Sequence, residues 1–203
     1  AAFALPFEPV TDAVIAQLAS AAATIAVLGA VLFRDQLSTF SSPHTANSGR
    51  TANLKLACSA INGTVINSGE TFSFNGVVGE RTAAKGYQKA TVYVGSDSVE
   101  ETGGGICQVA STVYDAALYA DLEITERAPH TFFVTYVNGG LDATVYWGSQ
   151  DFCFRNNTDY PIRVDAWVSG GYVNISIYGT KTNDNYVVLD YSKLSTTPYS
   201  TVT

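Results

Sequence analysis

The residues best suited to chemistry lie in one short stretch of the chain. Three consecutive glycines, Gly103, Gly104 and Gly105, precede Cys107 by a single residue. Apolar residues at helical spacing then predict a helix over residues 106–120. A thiol at a helix start lies near unpaired backbone N–H groups, whose partial positive charge favours the thiolate. Cys107 is therefore a candidate nucleophile, and the glycines are candidate binding residues that present N–H groups, or else only a tight turn.

A thiol nucleophile requires a base, and the chain contains two histidines, His44 and His130. His44 lies in a polar loop, whereas His130 precedes the run TFFVTYV, which is predicted to be a strand. Asp142 opens the next predicted strand, DATVYW, and can orient an imidazole. The order Cys107, His130, Asp142 resembles that of papain-like and transglutaminase-type acyl-transfer enzymes. A structural histidine and a turn-forming aspartate are the alternatives at the last two positions.

Other chemistries find less support in the sequence. Gln108 adjoins the candidate nucleophile and is kept as a binding residue, although neighbouring side chains on a helix diverge. Two distant histidines do not supply a metal site, so we expect neither a metal nor a cofactor. Glu100 and Glu101 are adjacent and point to opposite sides of the chain, which disfavours glycosidase chemistry.

The other two cysteines are candidates for a disulfide. Cys58 lies in the helical pattern TANLKLACSAIN, and Cys153 lies in the strand-like DFCFRNN. In an oxidising compartment an even number of thiols should pair, which favours Cys58 with Cys153 and leaves Cys107 free. The alternative is that all three are small buried hydrophobic residues.

Composition limits the compartment and the partners. The chain has 203 residues, 18 acidic and 11 basic, for a net charge of -7, and the basic residues do not cluster. Nucleic-acid binding is therefore disfavoured. Charged residues make up only 14% of the chain, and methionine is absent, which is typical of a secreted or cell-surface protein after removal of its signal peptide.

An uncharged, alanine-rich run extends over residues 13–33. One interpretation is a short helix with Thr11 as its N-cap followed by a buried strand over residues 24–33. A second is one long helix, in a membrane or in the core of a filament, as in a pilin stalk. A third is a donor strand that completes a neighbour's sheet. The first is slightly favoured.

The remaining pattern predicts an α+β fold: an antiparallel, β-rich domain with two main helices, preceded by the apolar segment. The first main helix contains Cys58 and is followed by a predicted hairpin, and the second is residues 106–120. SDSVEETGGG is predicted as a loop. Five later runs are predicted as strands: TFFVTYV, DATVYW, DFCFRN, PIRVDAWV and YVNISIYG. We divide the chain into residues 1–35, 36–180 and a tail over 181–203.

Several of these stretches together resemble the VanW family, named for an accessory protein of vancomycin-resistance clusters. They include LSTFSS, the run from NLKLACSAING to ATVYV, GGGICQVASTVYDAALYADLEITERAPH and DATVYWGSQDFCFRNNTDYPIRVDAWV, which together extend over residues 36–179. The resemblance implies a protein of the bacterial cell envelope, often found beside peptidoglycan-associated modules, without a settled activity. The apolar N-terminal run, Cys58 and Cys153 depart from the usual pattern.

Two functional hypotheses follow. In the first, Cys107, His130 and Asp142 transfer or hydrolyse acyl groups of cell-wall peptides. In the second, the domain is a structural subunit of a surface oligomer or filament, which assembles through the apolar segment without catalysis. The partners are then a wall peptide or glycan, or further copies of the chain, with membrane contact through residues 13–33. Aromatic residues are available to stack on sugars, although most should pack within sheets: Tyr87, Tyr93, Tyr136, Tyr146 and Trp147.

Overall fold

A computed structural model describes residues 12–94 and 97–190. The helices are α1 (Asp12–Leu32), α2 (Ser48–Ile61), α3 (Phe74–Val78) and α4 (Ile106–Tyr119), with one 3-10 turn at Ala83–Lys85. The strands are β1 (Asp35–Pro43), β2 (Thr64–Ile66), β3 (Thr71–Ser73), β4 (Lys89–Val94), β5 (Asp97–Thr102), β6 (Glu123–Glu126), β7 (Cys153–Arg155), β8 (Ile162–Ser169) and β9 (Tyr172–Gly179). The combination of helices with antiparallel sheets confirms the predicted α+β class.

The main sheet has four antiparallel strands in the order β1-β9-β8-β2. Side chains alternate along β8 and β9, so Val164, Ala166, Ile175 and Ile177 all face inward and are buried. Helices α2 and α4 pack against this inner face. The main sheet therefore forms one wall of the core.

Helix α4 is the central element of the domain. It contacts β1, β9, β6 and α2, and Val109, Ala110 and Val113 are fully buried. The remaining strands form a sheet in the order β3-β7-β6 and a hairpin of β4 and β5. Because α4 packs against several elements, the residues at its N-terminus are held in place by the core.

The structure corrects the favoured interpretation of the N-terminal run. Residues 12–32 form one helix, α1, and residues 24–33 are not a strand. Ile25, Val27 and Leu28 are each more than half exposed, so this part of α1 packs little against the domain. Within the described part of the chain, no helix is long and apolar enough to cross a membrane. The expected N-cap, Thr11, and residues 191–203 of the tail lie outside the described residues.

Several predicted strands and loops were also wrong. TFFVTYV is an irregular loop, and DATVYW contributes only isolated bridges, at Thr144 and Tyr146. The segment predicted as the loop SDSVEETGGG includes β5, which pairs with β4. The predicted hairpin after α2 does not form, because β2 pairs with β8 while β3 pairs with β7. Local β propensity therefore did not decide these segments, and for β2 and β3 pairing with strands far along the chain did.

The expected disulfide between Cys58 and Cys153 is absent, since all three cysteines are free thiols. Cys58 is 1% exposed in the core, and burial raises its pKa to about 12. The Cys153 Sγ contacts carboxylate oxygens of Asp151 at 3.5 Å and Glu126 at 3.8 Å. Burial and these carboxylates raise the pKa of Cys153 to about 12. The two thiols thus occupy separate environments, one apolar and one acidic.

Candidate active site

The glycine loop holds the start of α4 by close backbone packing. A side chain at Gly104 would place its Cβ 2.4 Å from the Ala90 carbonyl oxygen of β4. Gly103 and Gly105 have φ angles of 87° and 102°, which favour glycine. The N–H groups of Gly103 and Gly104 already donate to the carbonyls of residues 88 and 101. Sequence alone predicted ligand binding by these glycines, but in the structure close packing accounts for Gly104, and the positive φ angles account for the other two.

Cys107 lies in the first turn of α4, half-buried, and its Sγ contacts the Val145 carbonyl oxygen at 3.6 Å. No side chain caps the helix at Gly105. Within the described residues, no backbone carbonyl outside the helix accepts from the Cys107 N–H. A carbonyl oxygen of a substrate attacked by this thiol would therefore have a backbone donor beside it.

His130 is bound between Asp142 and Cys107. The Asp142 Oδ2 lies 2.6 Å from the His130 Nδ1 and accepts from the His130 backbone N–H, also at 2.6 Å. The imidazole also lies close enough to Cys107 for the two groups to interact, while the thiol itself donates to the Val145 carbonyl. Because Nδ1 is engaged by Asp142, Nε2 is the ring nitrogen available to the thiol. The structure thus brings the three predicted residues together, with Asp142 and His130 joined by hydrogen bonds and Cys107 beside the imidazole.

The protonation of the histidine and the aspartate follows from these contacts. Burial alone would lower the pKa of His130, but the hydrogen bonds to Cys107 and Asp142 and their negative charges raise it above its ordinary value. Burial alone would raise the pKa of Asp142, yet the two hydrogen bonds from His130 and the charges of His130 and Arg127 hold it below its ordinary value. Asp142 is thus an acceptor that stabilises an imidazolium.

Arg127 fixes the aspartate from its other side. Its Nη2 donates to the Asp142 Oδ1 at 3.0 Å, and its Nε donates to the Asp142 carbonyl at 2.6 Å. The Asp142 side chain is 11% exposed and that of Arg127 is 21% exposed. Both oxygens of the Asp142 carboxylate are therefore used, which fixes the rotamer that His130 requires.

Ser111 aligns the segment after Asp142 with α4. It lies one turn below Cys107, donates to the Cys107 carbonyl at 2.8 Å, and accepts from the Ala143 N–H at 2.9 Å. This contact places Val145 against the thiol. Helix α4 and the segment that contains Ala143 and Val145 are thus joined at two points, Ser111 and Cys107.

Comparison with known proteins gives the family of this arrangement. Residues 49–178 match the sequence profile described as "VanW like protein". This region includes Cys107, His130 and Asp142 and covers more than half of the chain. The chain belongs to the VanW family. Membership suggests a protein associated with the bacterial cell envelope.

Two relatives illustrate the extent of the similarity. The chain is 44% identical over 137 residues to the uncharacterized protein YoaR of Bacillus subtilis, covering 68% of this chain and 45% of the relative. It is 32% identical over 122 residues to the vancomycin B-type resistance protein VanW of Enterococcus faecalis, covering 58% of this chain and 44% of the relative. The match therefore spans less than half the length of either relative. No solved structure matches the chain.

Two residues considered from the sequence lie away from this chemistry. Gln108 is 1% exposed, and its amide donates to the Pro43 carbonyl at 2.8 Å and accepts from Arg50 at 2.7 Å. It therefore joins α4 to β1 and α2 in this VanW-family domain, with both ends of its amide engaged. His44 contacts the neighbouring Thr45 carbonyl at 3.3 Å, in an exposed loop.

Sequence reasoning missed two polar side chains around the site, Arg81 and Asp115, and considered a third, Tyr136, only for stacking on sugars. Arg81 lies close enough to Cys107 for their charges to interact. The Tyr136 hydroxyl is buried beside Ser111 and Cys107, without a hydrogen bond of ordinary geometry to the described residues. Asp115 is fully buried two turns below Cys107, and neither of its oxygens has such a partner. The spacing 107, 111, 115 is a sequence signal for the last, because it gives a polar line along one helix face.

The donor groups of the site suit acid–base and nucleophilic chemistry better than metal binding. Among residues 12–94 and 97–190, no group of three or more His, Cys, Asp or Glu side chains is arranged to hold a metal ion. The His130 imidazole is instead engaged between a carboxylate and a thiol. This arrangement can accept a proton from the thiol, stabilise the resulting imidazolium and return the proton to a leaving group.

Proposed function

We propose that this VanW-family domain acts at the cell surface as a cysteine acyltransferase or amidohydrolase on peptide bonds of the cell wall. The observation that carries the proposal is the His130 imidazole, which Asp142 holds at 2.6 Å through Nδ1 and which lies beside the half-buried Cys107 thiol. Family membership supports the cell-envelope setting. The wall peptide is inferred from that setting together with the acyl-transfer geometry.

The reaction proceeds in two steps. The Cys107 thiol transfers its proton to His130, and the sulfur attacks the substrate carbonyl carbon. The C–N bond then breaks, and the amine leaves with the proton from His130, which gives a thioester. Water or a second amine attacks the thioester, gives a proton to His130, and releases the thiol again. Asp142 stabilises the imidazolium in both steps.

Thiol labelling across pH tests this proposal. Native protein is treated with iodoacetamide, and each labelled cysteine is located by peptide mapping. We expect Cys107 to react alone at pH 6.5, and substitution His130→Ala to slow its reaction about tenfold or more, because the imidazole that accepts the thiol proton is then missing. Asp142→Asn should also lower the rate of Cys107 labelling.

A matched control is His44→Ala, which removes the other histidine from an exposed loop. It should leave the Cys107 rate unchanged. If Cys107 labels only after denaturation, or at a rate independent of His130, the acyl-transfer site is refuted. A positive result justifies incubation with wall peptides and a search for the Cys107 thioester by mass spectrometry.

A second function is assembly through the N-terminal segment. We propose it because α1 exposes apolar side chains over residues 25–31: Ile25, Val27, Leu28 and Val31, each at least 54% exposed. Exposed apolar surface of this kind favours association with further copies of the chain or with a membrane surface. Light scattering of residues 1–203 and 34–203 tests it. A monomeric full-length chain that does not bind vesicles would exclude both forms of assembly.

A further inference from the structure

We propose that Arg81 forms an anion-binding subsite beside the Cys107 thiol, which selects acyl substrates carrying a carboxylate next to the scissile carbonyl. The proposal deepens the acyl-transfer function and depends on it for its biological meaning. The test of the subsite does not require catalytic turnover, so the subsite and the acyl-transfer function can be refuted separately.

The fold holds the Arg81 guanidinium in place. Its Nη1 donates to the Asn75 Oδ1 at 2.6 Å and to the Gly79 carbonyl at 3.0 Å. Asn75 is itself 9% exposed, and its amide donates to the Gln150 carbonyl at 2.7 Å. An arginine that is oriented in advance loses less side-chain entropy when it binds an anion.

Two contacts place the Arg81 side chain beside the segments that flank the thiol. On one side, the Asn75 amide also reaches the Tyr146 carbonyl at 3.4 Å, and the preceding residue, Val145, contacts the Cys107 Sγ. On the other side, the Arg81 Cβ lies 2.9 Å from the position that a Cβ on Gly103 would take. Arg81 thus lies between the glycine loop and the segment that borders the thiol.

The remaining donors of Arg81 have no protein acceptor in the described part of the chain. Only Nη1 is engaged, so Nε and Nη2 stay available. Burial lowers the pKa of Arg81, and nearby negative charges oppose this, with Cys107 the largest. Asp151 and Glu80 are the carboxylates whose charges also act on Arg81. The Asp151 oxygens already accept from the Ser73 hydroxyl and the N–H groups of Asn75 and Phe152.

The chain as a whole has a net charge of -7, which disfavours the approach of anions. The Arg81 guanidinium, with two free donor atoms beside the nucleophile, provides a local positive charge that attracts anions. Its planar arrangement of N–H donors suits a carboxylate. A substrate carboxylate bound there would place the neighbouring carbonyl near Cys107. The carboxylate belongs either to the C-terminus of a peptide or to an acidic side chain.

The experiment compares two alkylating reagents of similar size, iodoacetate and iodoacetamide, on the full chain. Both form an S–C bond and release iodide, but only iodoacetate is an anion. We expect Arg81→Gln to reduce the iodoacetate rate at Cys107 about fivefold or more, as for one lost charge pair near the surface, and to change the iodoacetamide rate less than twofold. Arg81→Lys should keep most of the preference.

The matched control is Arg155→Gln, which removes the same charge from a half-exposed residue paired with Glu123. It should leave both rates unchanged. If Arg81→Gln slows both reagents equally, Arg81 acts on the thiolate and the subsite does not exist. Unchanged rates also overturn the proposal. If Arg81→Gln does not fold, the labelling rates of Arg81→Lys and of wild type in high salt test the proposal instead. High salt should lower the iodoacetate rate at Cys107 and leave the iodoacetamide rate unchanged.

Protection of Cys107 from iodoacetamide distinguishes the sources of the carboxylate. The probes are N-acetylglycylglycine, its C-terminal amide, and the C-terminal monoamide of N-acetylglycylglutamic acid, whose side-chain carboxylate is free. We expect protection by one or both of the probes with a carboxylate in wild type, but none by the amide of N-acetylglycylglycine and none in Arg81→Gln. The acid that protects identifies the source. Equal protection by acid and amide, or none by any probe, overturns the proposal, whereas loss of His130 dependence alone would refute only the catalytic function.

Discussion

At the scale of single residues, the site combines a satisfied chain of hydrogen bonds with unsatisfied groups behind it. Both carboxylate oxygens of Asp142 are engaged, one by Arg127 and the other by His130. Asp115, on the same face of α4 as Cys107, has no hydrogen bond of ordinary geometry and is 0% exposed. Because an ionised carboxylate is costly in such a place, Asp115 should be protonated at neutral pH.

The first prediction concerns Asp115→Asn and the pH dependence of stability. Burial, and then the charge of Asp142, raise the pKa of Asp115 from 3.8 to about 8. Folding therefore retains a proton that the unfolded chain has released, so the contribution of Asp115 to stability is fully present below pH 4 and is lost as pH rises towards 8. The stability of Asp115→Asn relative to wild type should rise over this range by up to about 1.4 kcal/mol per pH unit.

Urea unfolding at several pH values between 4 and 8 measures this difference. Asp159→Asn is the matched control, because Asp159 is exposed, and its stability relative to wild type should stay nearly constant. A constant difference for Asp115→Asn as well would show that Asp115 is ionised and bound in the folded protein.

The second prediction concerns the Tyr136 hydroxyl. Burial, together with the charge of Cys107, raises the pKa of Tyr136, so the hydroxyl stays protonated beside the thiol. Tyr136→Phe removes a buried donor that has no ordinary partner, and it should leave stability unchanged or raise it by up to about 1 kcal/mol in urea unfolding. Tyr146→Phe, at an exposed position, is the control. A clear loss of stability in Tyr136→Phe alone would reveal a hydrogen bond to this group.

At the scale of elements, the start of α4 depends on its packing against the β4–β5 hairpin. The three glycines connect β5 directly to α4, and the chain passes close to the Ala90 carbonyl at Gly104. The hairpin therefore supports the turn that carries Cys107. This explains why the loop needs small residues even if its N–H groups bind no ligand.

The third prediction follows from this packing. A Cβ at Gly104 would lie 2.4 Å from a backbone oxygen, so Gly104→Ala should destabilise the domain by about 1–3 kcal/mol, as for other overpacked sites. Urea unfolding measures the loss, and Cys107 labelling reports the local shift. Gly29→Ala in α1, where a Cβ meets nothing within 4 Å, should be neutral or slightly stabilising. If Gly104→Ala lowered stability no more than Gly29→Ala, the hairpin would not constrain the glycine loop.

At the scale of the whole molecule, the core of the described region is formed by α2, α4, the main sheet and the sheet β3-β7-β6, without disulfide bonds. The largest fully buried side chains include Phe72 and Phe154 of the second sheet, Leu54 of α2, Ile175 of the main sheet and Val109 of α4. The stability of the described region therefore comes from apolar burial.

The fourth prediction concerns the redox state. Because the three thiols are free, urea midpoints should be the same with and without millimolar dithiothreitol, and alkylation of denatured protein should modify three cysteines. A disulfide between Cys58 and Cys153 would instead contribute about 4 kcal/mol, which reductant would remove. A midpoint that falls in dithiothreitol would therefore contradict the structure.

The sequence by itself determined the local features of this protein. The 3.6-residue period predicted α2 and α4, the resemblance identified the VanW family, and residue chemistry singled out Cys107, His130 and Asp142. These depend on the types of a few residues and on the short-range periodicity of their neighbours, both of which are readable from one chain.

Only the tertiary structure decided which groups meet. The site aspartate is held by Arg127, the thiol is bordered by Val145 and Arg81, and Cys58 and Cys153 remain unpaired. His130 lies in an irregular loop despite the strong β propensity of the run that follows it. Such contacts join residues far apart in the chain, and they depend on packing and strand pairing that local propensity does not encode.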